Sequence, residues 1–188
     1  REFSRIPVIV KLTPNVTDVT VPAEKALDGG AHAVSLINTI KSIVSVDLDA
    51  FVPRPIVGGK GTNGGYCGPA VRPIALHMVG SIARNPKTAR LPISGIGGVS
   101  TWRDAAEFIA MGATTVQVCT AVMHHGYRII EDLNQGLSDF LDEKKLGSVN
   151  ELVGRAVRNY TRWNELDPAY HHVAEIHKEH CIGCNVCV

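Results

Sequence analysis

The sequence predicts an α/β protein built around a parallel sheet, and three observations predict it. Short runs of β-branched and apolar residues alternate with stretches whose apolar residues recur every three or four positions. Each run breaks into Gly, Pro or Asn, and no hairpin signal joins one run to the next, so the crossovers must be helices. Four such strand-helix units are half of the eight that close a barrel of roughly 250 residues. The sheet is therefore either open or half of a barrel. The chain has 188 residues, 45% hydrophobic and 20% charged, an ordinary composition for one soluble globular domain. Lys plus Arg is 19 and Asp plus Glu 18, a net charge of +1 that offers no charge-driven surface for nucleic acid or anionic membrane. There is no run of about 18 apolar residues and no signal-peptide pattern, so a cytoplasmic location is expected.

Residues 7–14 read as a buried strand, apolar on both faces and ended by Pro14. Residues 18–27 carry Ala23, Ala26 and Leu27 at helical spacing and stop at Gly29-Gly30. Residues 33–38 form the second strand. Residues 39–72 are rich in Gly, Pro and Asn and read as one long functional loop. Pro73, followed by Ile74, Met78 and Ile82, opens a helix to about residue 84. The third strand, residues 91–98, breaks into glycines, after which Ser100 or Thr101 caps a helix through Phe108 and Met111. The fourth strand, residues 114–119, leads to a helix lined on one face by Ile129, Ile130, Leu133, Leu137 and Leu141. A further helix is predicted over residues 148–163, then a polar, His-rich linker over 164–180.

Functional groups of a parallel barrel sit at the C-terminal strand ends. Gly97 and Gly98 before a capped helix offer bare N–H groups for a phosphate, with Cys119-Thr120 beside them; a simple tight turn is the alternative. Lys11 interrupts an apolar strand, so it either faces a negatively charged or electron-rich partner or snorkels from the sheet edge. Asn38 offers a donor and an acceptor to a planar imide, or forms a turn. Cys181, Cys184 and Cys187 are spaced C-x2-C-x2-C, the opening of a bacterial ferredoxin run; zinc with His177 or His180 competes. Cys67 and Cys119, taken alone, read as small buried apolar residues. The pairs His124-His125 and His171-His172 read as surface residues.

The strings Val10-Lys-Leu-Thr-Pro-Asn-Val-Thr-Asp18, Ser35-Leu-Ile-Asn-Thr39, Gly64-Gly-Tyr-Cys-Gly-Pro-Ala-Val-Arg-Pro-Ile-Ala-Leu76, Ile93-Ser-Gly-Ile-Gly-Gly98 and Val116-Gln-Val-Cys-Thr-Ala121 together resemble the dihydropyrimidine dehydrogenases. The likeness is strongest to the bacterial NAD-dependent type, in the subunit carrying FMN and iron-sulfur clusters. The resemblance implies that residues 1–147 are the C-terminal half of a (β/α)8 TIM barrel of dihydroorotate dehydrogenase type. Residues 148–176 would then be a helical or linker extension, and residues 177–188 the start of a ferredoxin-like 4Fe-4S module. It implies FMN at Lys11, Gly68, Ile96, Gly97, Gly98, Cys119 and Thr120, uracil or thymine at Asn38 and Thr39, and a [4Fe-4S] cluster on Cys181, Cys184 and Cys187. Electrons would come from NADH through a partner subunit that carries FAD. The family's acid cysteine belongs to a Cys-Pro-His motif that this sequence lacks, so no catalytic residue is assigned here. That residue and the N-terminal half of the barrel are expected upstream, and the chain alone is expected to be inactive. A dihydroorotate dehydrogenase and a non-catalytic zinc-binding assembly module are the alternatives.

Overall fold

The computed structural model describes residues 5–170, 176, 177 and 179–184. Its centre is a four-stranded parallel sheet, β1 (Ile9–Lys11), β2 (Ala33–Leu36), β9 (Ile93–Ile96) and β10 (Thr115–Gln117), in that spatial order. Neighbours in space are thus successive units of the predicted pattern, and α1 (Thr20–Asp28), α2 (Arg72–Arg84) and α3 (Trp102–Ala110) form the crossovers. Lys11, Ser35, Ser94 and Thr115 stand opposite one another across the four strands and so share one face. Val34, Leu36 and Ile93 point the other way, into a core with Ala75, Val79 and Ile82 of α2 and Phe108 of α3. Phe108 is 0% exposed, and burial of such a ring contributes about 1.5–3 kcal/mol. Gly95 makes room for it, since a Cβ there would lie 2.6 Å from the ring.

Thr101 begins α3 as its N-cap, and Asp104 completes a capping box, as the Ser/Thr signal anticipated. Four other expectations are corrected. The first strand is shorter and lies at the sheet edge among the described residues, leaving Ile9 58% exposed where burial on both faces was expected. Residues 39–72 do not form one loop. They contain three antiparallel ribbons, β3 (Ile40–Ser42) with β8 (Gly64–Tyr66), β4 (Ser45–Asp47) with β5 (Val52–Arg54), and β6 (Ile56–Val57) with β7 (Lys60–Gly61). The overlooked signal is Gly58-Gly59, whose φ of +57° and +76° make the two-residue turn that favours hairpins.

The helix after β10 is two helices, α4 (Thr120–His125) and α5 (Arg128–Glu143), broken where Gly126 takes φ +70°. Over residues 148–163 there is no α-helix but a series of 3₁₀ turns, at Val149–Glu151, Val157–Asn159 and Trp163–Glu165. Gly154, at φ +73°, interrupts the helical path, and its N–H and that of Ala156 bond instead to the carbonyls of Ile109 and Ala110. The segment therefore straps the end of α3, with Leu152 buried beside Ile109 and Leu146. Cys181 and Cys184 are exposed, whereas Cys187, His171 and His172 lie outside the described residues.

Candidate functional site

A cavity of about 280 Å³ opens at the C-terminal ends of the strands, where a parallel sheet presents its loops. Lys11, Asn38, Thr39, Gly68, Ile96, Gly97, Gly98, Cys119 and Thr120, the predicted cofactor and substrate residues, all line it. They come from five separate stretches of sequence, so the fold brings together what the motifs leave scattered. Two of the five are the roots of the ribbon arm: β3 follows Asn38-Thr39 and β8 runs into Tyr66-Cys67-Gly68.

One end of the cavity is backbone. Gly97 and Gly98 adopt φ of +144° and +75°, a region that L side chains avoid. A Cβ on Gly98 would lie 2.6 Å from the Gly68 carbonyl oxygen, so the Cys67–Pro69 stretch closes directly over this loop. Among the described residues the N–H groups of Gly97, Gly98 and Cys119 have no backbone acceptor. Donors of this kind, converging beside a cavity, suit a phosphate dianion. The loop is held from behind by Asp104, which accepts from the N–H groups of Ser100 at 3.0 Å and Thr101 at 2.8 Å and pairs with Arg72.

The other end is polar side chains. Lys11 is exposed to the cavity rather than buried, and no carboxylate among the described residues pairs with it. Its charge is thus free for a ligand. Asn38 Oδ1 accepts the Thr39 N–H at 3.0 Å, which leaves its Nδ2 donor for the cavity. Asn15 ties this strand end down, since its Nδ2 donates to the Thr39 carbonyl at 3.1 Å and its Oδ1 accepts from Lys41 N at 2.9 Å.

The residue-by-residue reading missed several members of this wall. Gln117, Tyr66, Cys67, His124 and His125 also line the cavity. His124 and His125 are exposed, as expected, yet stand at the mouth of the site, because the short α4 begins at Cys119-Thr120 and carries them one turn further. Cys67 and Cys119 are exposed, not buried, and Thr120 Oγ1 donates to Cys67 Sγ at 3.6 Å. A polar residue late in an apolar strand was the available signal for Gln117, the same signal that singled out Lys11. Among the described residues no group of three His, Cys, Asp or Glu side chains converges as a metal site.

With this geometry in view, the dihydroorotate dehydrogenase family model matches residues 1–141. The NAD-dependent dihydropyrimidine dehydrogenase subunit PreA of Escherichia coli K12 is 44% identical over 184 residues, 98% of this chain and 45% of that protein. The chloroplastic dihydropyrimidine dehydrogenase (NADP(+)) of Arabidopsis thaliana is 43% identical over 164 residues, 86% of the chain and 38% of that protein. The catalytic subunit of dihydroorotate dehydrogenase B (NAD(+)) of Thermococcus kodakarensis is 44% identical over 151 residues, 80% of the chain and 47% of that protein. The chain thus spans less than half the length of these relatives.

Proposed function

The chain belongs to the dihydroorotate dehydrogenase family, and from that premise we propose that it forms the FMN site of a dihydropyrimidine dehydrogenase, an enzyme reducing the 5,6 double bond of uracil or thymine. The observation that carries this reading is the reach of the likeness. The match to the bacterial dihydropyrimidine dehydrogenase subunit leaves at most 188 minus 184, or 4, residues uncovered, so it extends into the cysteine-bearing tail. The match to the dihydroorotate dehydrogenase covers 151 residues.

FMN fits the residues present: the glycine-lined end with its unsatisfied N–H donors suits the phosphate, and the Lys11 end suits an electron-rich ring. When bound, FMN supplies hydride chemistry that side chains lack. The chain's own residues bind and orient. Gly97, Gly98, Cys119 and Thr120 hold the phosphate, Gly68 and Ile96 pack along the cofactor, and the Lys11 ammonium favours negative charge on the ring beside it. Asn38 donates from Nδ2 to a pyrimidine carbonyl, with Thr39 beside it. No proton donor to the substrate is assigned within this chain. Cys181, Cys184 and Cys187 have the C-x2-C-x2-C spacing and would hold a [4Fe-4S] cluster, which would supply one-electron transfer, with NADH-derived electrons coming from a partner subunit carrying FAD. In this reading residues 1–147 are the second half of a TIM barrel whose first half lies in a longer cytoplasmic subunit of the relatives' size, 148–176 an extension and 177–188 the start of the cluster module.

The test is anaerobic turnover by that full-length subunit with its partner, with NADH as reductant for uracil or thymine and NAD(+) as oxidant for dihydroorotate. Reduction of uracil or thymine with a broad absorption near 400 nm from the cluster is the expected result. Turnover of dihydroorotate alone supports the dihydroorotate dehydrogenase reading, which the 44% identity to that enzyme's catalytic subunit favours. A colourless tail loaded with zinc overturns the electron-carrying role.

A further inference from the structure

Gln117 stands on β10 two residues before Cys119, and its side chain reaches across the sheet to Ser35, the register partner of Lys11. Its side-chain Nε2 donates to Ser35 Oγ at 2.8 Å and to Ser94 Oγ at 2.7 Å, so both N–H bonds are directed to the sheet. Ser94 is fixed in turn by Thr115 Oγ1, which donates to it at 2.8 Å. Ser35 is buried and belongs to β2, whereas Ser94 belongs to β9. The carboxamide is thus pinned across three strands, and its rotation is removed before any ligand arrives. Its Oε1 has no partner among the described residues, yet no side-chain oxygen there is both buried and unpaired. The acceptor therefore faces open space, and Gln117 lines the cavity.

Resting on the flavin reading above, we propose that Gln117 is a positioning residue for the cofactor's linker, its Oε1 accepting a hydrogen bond from a hydroxyl of the polyol between ring and phosphate. The placement carries this. With the phosphate held by the backbone donors of Gly97, Gly98 and Cys119 and the ring held near Lys11, the linker runs along lining that Gln117 and Ile96 share, and the Gln117 side chain extends from beside Cys119 to Ser35, opposite Lys11. Of these two, Gln117 has the polar atom, and a polyol supplies the donor that a pinned carbonyl accepts. Ser35 and Ser94 act only by holding the amide in that orientation.

The experiment compares three flavins on the apoprotein of the full-length subunit: FMN, riboflavin, which keeps the polyol without phosphate, and lumiflavin, which has neither. Fluorescence titration of wild type, Gln117→Leu and Gln117→Glu gives each affinity. The expected result is that Gln117→Leu weakens FMN and riboflavin by a similar factor, about 3- to 10-fold for one neutral hydrogen bond, and leaves lumiflavin unchanged. Gln117→Glu keeps the acceptor and should retain most of the riboflavin affinity. Lumiflavin binding also reports that each variant is folded. Equal weakening of all three flavins, or of none, overturns the polyol contact while leaving the flavin reading in place. Wild-type protein that binds none of them overturns the flavin reading and this inference with it.

Discussion

Removing the Asp104 carboxylate tests whether the phosphate end of the cavity is built by the sequence around α3 or merely lies beside it. The group is 3% exposed, and Oδ2 accepts from Ser100 N at 3.0 Å, Ser100 Oγ at 3.2 Å and Thr101 N at 2.8 Å. Oδ1 pairs with Arg72, and the Asp104 N–H returns to Thr101 Oγ1 at 3.3 Å. Hydrogen bonds to an ionised acceptor contribute about 1.5–3 kcal/mol each, but those sharing one carboxylate are not additive. Breaking a buried ion pair from one side costs about 3–5 kcal/mol. Arg72 is 34% exposed and can turn to water, so the lower end applies: Asp104→Ala should lose about 3 kcal/mol. In a domain of this size that lowers Tm by roughly 6–12 °C. Asp104→Asn keeps the shape and one acceptor and should lose less. Denaturant unfolding of both variants, with Arg72→Met and the double variant to close a cycle, measures the loss and the coupling. FMN titration reads the site, where affinity should fall because Ser100 and Thr101 fix the loop that follows Gly97 and Gly98. A loss below about 1 kcal/mol, or full destabilisation with FMN affinity untouched, would refute the reasoning.

Gly98→Ala should weaken FMN binding at least tenfold, because its Cβ meets the Gly68 carbonyl at 2.6 Å. Gly58→Ala, at φ +57° in the arm with nothing within 4 Å, should cost stability alone; equal effects of the two on affinity would count against a built cradle. Lys11→Ala in the full-length subunit should weaken FMN retention or slow flavin reduction, and unchanged flavin content and rate would remove its assigned role. The Lys87 ammonium holds the Glu24 carboxyl below its ordinary 4.5, helped by Asn85, and Glu24 holds Lys87 above its ordinary 10.5. Glu24 therefore adds stability that is complete above 4.5 and disappears as pH falls through its lowered folded value, whereas the Lys87 contribution fades only as pH rises past 10.5. The Tm difference between wild type and Glu24→Gln should be constant near neutrality and shrink on acidification, and a difference that grows in acid contradicts the pairing.

The four sheet strands and the crossover helices were legible because each rests on a local pattern: β-branched runs, apolar spacing, the Thr101 cap. The misreadings share a different cause. Residues 40–66 carry few apolar alternations longer than three residues, so the ribbons are specified by turns such as Gly58-Gly59 rather than by periodicity. The apolar spacing of Leu152, Val153, Ala156 and Val157 does suit a helix, yet the carbonyls at the end of α3 compete for the same N–H groups and win. Tertiary partners of that kind leave no local trace. At the site, strand ends and glycines pointed to the cavity residues, but Asn15 and Gln117 act through contacts to Lys41 and to Ser35 and Ser94, far away in sequence.

The two faces of the sheet show why Gln117 matters beyond its own contacts. Parallel sheets are ordinarily covered on both faces by apolar layers. Here one face packs on α2 and α3, whereas the other carries Lys11, Ser35, Ser94, Thr115 and Gln117. Leaving the donors and acceptors of such a face unpaired would cost about 1–3 kcal/mol each once covered, so a polar inner face is tolerable only if its groups satisfy one another or a ligand. Gln117, Ser35, Ser94 and Thr115 do the first, knitting β2, β9 and β10 together from the inside. Among the described residues of this face Lys11 and the free oxygen of Gln117 remain, and both line the same cavity. The polar groups that the sheet does not use for itself are therefore the ones it offers to the ligand, which is why residues that look out of place in apolar strands are the best guide to the site.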